Sequence, residues 1–200
     1  SSDHMNSSKR RLCRPNAISA AMLLFALTPL AQAAPKLVDD FSDAERTSTG
    51  ATRVLVDDQQ LGSKSHGTQA CEDGTIRVEG ALVPGRGVPA FMSLVLLTAP
   101  DGQPQDLTGF AGIRLRVKVK TGMLSVQAGS SEIENFDYHT SPIRARAGEF
   151  QEVRIPFKEM KRAWSEQVPL NLATLTSVNI VAFGMEKGEF AYELDEVGFY

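Results

Sequence analysis

The sequence predicts an all-β, two-sheet sandwich of the jelly-roll kind, and three observations carry that prediction. Ile113, Leu115, Val117 and Val119 alternate with Arg114, Arg116, Lys118 and Lys120. A period of two gives one strand an apolar face and a cationic face. Leu124, Val126 and Ala128 alternate in the same way with Ser125, Gln127 and Gly129, and Val153 and Ile155 flank Arg154 ahead of Pro156. Gly122 and Gly148 fall at the breaks, so the stretch from Leu107 to Phe157 is a row of half-buried antiparallel strands joined by turns. Finally, the opening Leu37 to Phe41 and the closing Leu194 to Tyr200 have a similar character. The chain ends are therefore expected to meet, as in jelly rolls, which keep sheet edges short or paired.

The remaining pieces follow in order. Lys36 to Phe41 makes a first short strand and Ser42 to Gly50 a polar loop. Arg53 to Val56 is a second apolar piece, and Gly62 to Gly67 reads as a loop. Thr75 to Leu82 alternates as a strand, and Pro84 to Pro89 is a turn cluster. Ala90 to Thr98 is almost continuously apolar between Pro89 and Pro100, which predicts a strand buried on both faces. Lys158 to Trp164 has the composition of one or two helical turns, and Ser177 to Gly184 and Glu189 to Tyr200 are closing strands. No repeat or heptad is present.

The first 33 residues read as a separate segment. Ser1 to His4 resemble a cloning scar before Met5. Lys9, Arg10, Arg11 and Arg14 then precede an apolar run from Ala17 to Leu30 and an Ala31-Gln32-Ala33 cleavage pattern. This is the plan of a secretory signal peptide, and the run is short of the ~20 residues a spanning helix needs. The expectation is a periplasmic or secreted protein whose single folded domain is residues 34–200. That length buries a core without disulfides. Only Cys71 would remain after cleavage, and a lone Cys in a strand-like run is most often a small buried hydrophobe. Losing Lys9, Arg10, Arg11, Arg14 and Asp3 takes the net charge from −3 to about −6. An acidic domain argues against nucleic acid or an anionic membrane as partner. The simplest reading of the cationic stripe is a solvated strand face.

Several motifs recur in order. Leu107, Gly109, Phe110, Gly112 and Ile113 are followed by Gly148, Glu149, Phe150, Val153, Ile155, Pro156 and Phe157, and then by Ser177, Val178 and Phe183. Together these resemble the complex I intermediate-associated protein family, with Phe150 where that pattern has Trp. Asp57, Asp58, Gly62 and Ser65 are similar to an Asp-Asp-x-x-x-Gly-Gly-x-Ser signature, with Ser63 at its second Gly. The two chain ends resemble those of carbohydrate-binding modules related to family 11. The resemblance implies a galactose-binding-like jelly roll. It implies either carbohydrate binding or an assembly role, since one fold hosts many functions.

Sugars bind through flat aromatic faces and paired polar groups. Candidate ligand residues are therefore Tyr138, His139 and Trp164, with Arg114, Arg116 and Gln127 on polar strand faces. Alternation puts Tyr138 and His139 on opposite faces unless a bulge intervenes. Related jelly rolls often bind a structural calcium near the chain ends, and Asp40 and Asp195 are the first choices for one. Glu132, Glu134 and Asp137 are spaced for glycoside hydrolysis only in principle, because they fall in a connection. His66 and His139 have no second His or Cys at zinc spacing. The expected function is non-catalytic binding of carbohydrate, with a protein-assembly role as the alternative and a glycan-active enzyme third.

Overall fold

Alternation sorts the strands into two antiparallel sheets. The computed structural model describes residues 34–200; the leader read over residues 1–33, Cys13 included, lies outside the described residues. The strands in chain order are β1 (Lys36–Asp39), β2 (Val54–Asp57), β3 (His66–Glu72), β4 (Thr75–Leu82), β5 (Ala90–Leu97), β6 (Gly112–Thr121), β7 (Leu124–Ser130), β8 (His139–Pro142), β9 (Gln151–Pro156), β10 (Leu175–Gly184) and β11 (Gly188–Phe199). Among the described residues there is no α-helix, only 3-10 turns at Gln59–Leu61, Phe157–Glu159 and Leu172–Thr174.

The first sheet runs β3-β4-β11-β6-β9, with β1 also paired to β11. The second runs β2-β5-β10-β7-β8. The fold is the jelly-roll β-sandwich that the periodicity predicts. Lys36 lies opposite Phe199 and Asp39 opposite Val197, so the chain ends do meet. Inward residues of the first sheet, among them Val78, Leu115, Val117, Tyr192 and Leu194, pack on Leu94, Leu96, Val126, Val178 and Ile180 of the second. All of these are at most 1% exposed. The turn between β6 and β7 needs Gly122, whose φ is 89°. A Cβ there would come within 2.9 Å of Phe190, so only glycine fits.

Three expectations change. The apolar run Ala90 to Thr98 forms β5, but it is not covered on both faces. Phe91, Val95 and Leu97 point outward and are only half-buried. The segment Lys158 to Trp164 does not form helical turns beyond Glu159. Lys161 instead exchanges two backbone hydrogen bonds with Thr140, each 2.9 Å, which extends the edge beside β8. The cationic stripe of β6 is not merely solvated. Its neighbour β11 carries Glu193, Asp195 and Glu196, and β9 carries Glu152. Arg114 pairs with Glu196 and Glu152, Arg116 with Asp195, and Lys118 and Lys120 with Glu193. Opposite charges on adjacent strands meet directly across the sheet.

Buried carboxylates fasten the loops. Arg53 donates to both oxygens of Asp39, at 2.6 and 3.0 Å, and to the carbonyls of Asp43 and Arg46. Asp58 accepts from the backbone N–H and hydroxyl of Ser65 and from the N–H of Phe91. The Asp-Asp…Ser signature is thus a clamp that holds the loop after β2 against the start of β5. Cys71 is half-buried and its thiol donates to the carbonyl of Phe41 at 3.2 Å.

Glu193 carries a pH signature. Hydrogen bonding from Lys120, reinforced by Lys118 and Arg77, takes its carboxyl from 4.5 to about 2. The folded value lies below the unfolded one, so the stabilisation is complete above pH 4.5 and is lost as pH falls toward 2. Melting curves of the wild type and Glu193→Gln between pH 6 and 2 should show the wild type more stable at pH 6, with the gap closing through that window. A gap constant across the window would contradict this assignment.

Candidate functional site

The outer face of the second sheet interleaves polar and apolar groups. The register makes two rows across it. Val54, Val95, Asn179, Gln127 and Thr140 form one row. Val56, Ser93, Val181, Ser125 and Pro142 form the next, and Phe91 lies opposite Phe183 beyond it. Val54, Val56 and Phe183 are 46%, 40% and 51% exposed. Asn179 is the polar centre of the first row and only 5% exposed, and among the described residues its side-chain oxygen has no hydrogen-bond partner. A buried amide oxygen without a partner costs about 1–3 kcal/mol. The face therefore sets a buried, unpartnered amide oxygen among hydroxyls, a second amide and exposed apolar side chains.

One end of this face is bordered by two loops locked to each other. The Asp137 carboxylate is 1% exposed and accepts the backbone N–H groups of Ala163, Trp164 and Ser165 at 2.8, 3.0 and 2.6 Å. Burial works against its charge, but these hydrogen bonds outweigh it and hold the carboxyl below its ordinary value. Arg162 donates to the Asp137 carbonyl and to the Asn135 side chain. On this frame stand Phe136 and Trp164, 73% and 69% exposed. Phe136 sits at φ 61°, a strained position for an aromatic residue. Its ring meets Tyr138 edge to face at 6.4 Å.

The six ligand residues named from sequence do not share one surface. Gln127 lies on the outer face of the second sheet, and Tyr138 is half-buried just before β8, on the side opposite His139. Trp164 is on the bordering loop. His139 points inward, 3% exposed, with Nε2 at 2.6 Å from the Val168 carbonyl. Arg114 and Arg116 belong to the far side of the sandwich, in the ion-pair lattice of the first sheet. Asp40 accepts from Ser42 and Ser48, and Asp195 pairs with Arg116 at 3.2 Å. Among the described residues no group of three His, Cys, Asp or Glu side chains converges as a metal site would. Of the carboxylates weighed for catalysis, Asp137 is spent on the loop frame and Glu132 accepts from Asn171.

Ser93 and Phe91 were missed because β5 reads as a strand with two covered faces, and Asn179, Val181 and Phe183 because β10 reads only as a closing strand with no face assigned. One signal was available: Asn179 interrupts an apolar strand between Val178 and Ile180.

Comparison with known proteins fits this architecture. The class is that of jelly-roll sandwiches also found in carbohydrate-binding modules. The family 11 module of cellulosomal cellulase Lic26A-Cel5E from Clostridium thermocellum is 16% identical, with a TM-score of 0.57, covering 82% of this chain and 94% of that one. The family 11 module from Clostridium thermocellum in complex with a β-1,3-1,4-mixed-linked tetrasaccharide is 17% identical, with a TM-score of 0.55 and the same coverages. The agarase AgWH50C is 8% identical, with a TM-score of 0.50, covering 82% of this chain and 26% of that one. These likenesses concern the fold. A search of curated proteins found no match. The chain belongs to the Complex I intermediate-associated protein 30 (CIA30) family, which it matches over residues 40–194.

The Asp137 frame makes a direct prediction. In Asp137→Ala three backbone N–H groups lose their acceptor, so the Trp164 loop should loosen. Fluorescence anisotropy of Trp164, the only Trp, should drop while the sheet spectrum in circular dichroism is kept. Unchanged anisotropy would show that the loop is held by something else.

Proposed function

We propose that this protein is a non-catalytic binding module that takes a carbohydrate on the outer face of its second sheet. The carrying observation is Asn179, a buried acceptor that has no partner among the described residues and lies beside Gln127 and Thr140 in its row. A sugar hydroxyl is a donor of the right size, and its neighbours would find Gln127, Ser93, Ser125 and Thr140 beside it. The exposed Phe183, Val54 and Val56 offer apolar surface for the C–H faces of sugar rings. Trp164, Phe136 and Tyr138 border the face, with Trp164 as a further stacking group. Fold likeness to a module seen with a mixed-linked tetrasaccharide supports the same class of ligand. The secretory leader expected in residues 1–33 goes with a periplasmic or secreted setting, where glycans are met.

Family membership favours a second reading, in which this face takes a protein during assembly. The two differ in what is retained. Affinity electrophoresis through gels containing β-1,3-1,4-mixed-linked glucan, agarose or other glycans should retard the protein in at least one. Asn179→Ala and Gln127→Ala should each weaken that retardation by about tenfold, the scale of one lost hydrogen bond in a desolvated site. Melting temperatures should not fall below the wild type, because neither side chain lies in the core between the sheets and Asn179→Ala removes the unpartnered oxygen. No retardation by any glycan would overturn the carbohydrate reading and leave the assembly role.

A further inference from the structure

An open strand edge presents a row of backbone N–H and C=O groups that another strand can pair with, and folded proteins guard such edges. Most edges of this sandwich are guarded. β1, β2 and β8 are only four residues long. Beside β8 the edge is closed further by Lys161, which pairs with Thr140. β9 carries Glu152 and Arg154 and ends at Pro156. β3, the outer strand of the first sheet, differs. It runs for seven residues, His66–Glu72, without Lys, Arg or Pro. Its register with β4 is unbroken from His66 opposite Ala81 to Glu72 opposite Thr75. His66, Thr68, Gln69, Ala70 and Glu72 are exposed.

The turn after β3 sets which backbone groups lie on that edge. Asp73 and Gly74, at φ 51° and 74°, make a two-residue hairpin turn. Glu72 and Thr75 close it as a hydrogen-bonded pair, and bonded and non-bonded pairs then alternate along the ladder. His66, Thr68, Ala70 and Glu72 therefore bond to β4. Lys64, in the same phase, donates to the Val83 carbonyl at 2.9 Å. Gly67, Gln69 and Cys71 direct their N–H and C=O groups away from β4, and among the described residues these groups have no hydrogen-bond partner.

We propose that β3 is a self-association edge, pairing antiparallel with β3 of a second copy about a two-fold axis through Gln69. A centre at Thr68 or Ala70 would oppose groups already bonded to β4, and a centre at Gly67 or Cys71 would use only part of the strand. With Gln69 at the centre, Gly67 exchanges hydrogen bonds with Cys71 of the other copy. Thr68 faces Ala70, so small side chains meet small ones. At both ends His66 faces Glu72, an imidazole against a carboxylate. This complementarity singles out a second copy, because an unrelated strand has no such match built in. Paired residues keep their faces, so the outward residues of the two copies stay on one side. The axis is then perpendicular to the sheet, and the second sheets of both copies lie on the same side of it. The outer faces of those sheets are presented together, which raises avidity for a ligand with repeated units. The pairing itself does not depend on what those faces bind. A single strand pair is a small interface, so the association is weak.

Sedimentation equilibrium of the protein from about 1 µM to 1 mM tests it, with dimerisation expected inside that range. Gln69→Pro removes an N–H that only the second copy uses, so the ladder between β3 and β4 is kept. Ala70→Lys puts a guarding charge on the edge. Each should raise the dissociation constant at least about tenfold. In the wild type, hydrogen exchange at the Gly67, Gln69 and Cys71 amides should be slower at the concentrated end of the range than at the dilute end, a readout that needs no variant to fold. Monomer at every concentration would overturn the proposal and leave the edge to a strand of another protein. A dimer that both variants leave intact, or whose edge amides exchange as fast as in the monomer, would overturn it as well.

Discussion

A strand has two faces, and in this chain one face of every central strand goes to the same interior. That constraint leaves no freedom in what the other faces carry. On β6 the outward positions become Arg114, Arg116, Lys118 and Lys120, and β11 answers with Glu193, Asp195 and Glu196. On β10 the outward positions become Ser177, Asn179, Val181 and Phe183. A slip of one residue in either strand would bury the charges and expose Leu115 or Ile180. The two outer faces thus differ in kind: one is a closed lattice of paired charges, the other an uncharged mixture with an unmatched acceptor. Paired charges are already satisfied, which is why the proposed binding is placed on the face that is not.

The same economy governs the loops. Three buried carboxylates, Asp39, Asp58 and Asp137, each gather donors from a distant stretch of chain. Asp39 holds Arg53, which in turn orders the polar loop after β1. Asp58 ties the turn after β2 to Ser65 and Phe91. Asp137 holds the Trp164 loop. A buried carboxylate stripped of its partners is strongly destabilising, about 3–5 kcal/mol when a buried pair is broken. Each therefore fixes one conformation of a segment that has little apolar surface of its own.

Much of this was legible in the sequence because alternation, turn glycines and matching chain ends are local signals. The positions of β4, β6, β7, β9, β10 and β11 follow from them. What was not legible depends on which strands become neighbours. The β6 cations look solvated until β11 is known to lie beside them. Arg114 and Gln127 look close in sequence but belong to opposite sheets, since consecutive strands β6 and β7 cross from one to the other. The apolar run of β5 looks doubly buried, but it borders β2 and β10 with one face uncovered. Trp164 was expected in a loop or short helix; it lies in a loop, set by Asp137, 27 residues away, and no local pattern announces such a contact. The unpartnered side-chain oxygen of Asn179 could not be seen at all before the packing was known.

The central claim is that recognition belongs to the outer face of the second sheet and not to the charged lattice opposite. Amide chemical-shift mapping with a glycan oligosaccharide that the protein retains addresses it most directly. The account predicts that perturbed amides cluster on β5, β7 and β10, around Ser93, Gln127 and Asn179, with β6 and β11 silent. Perturbations centred on Arg114, Arg116 and Glu193 would contradict it.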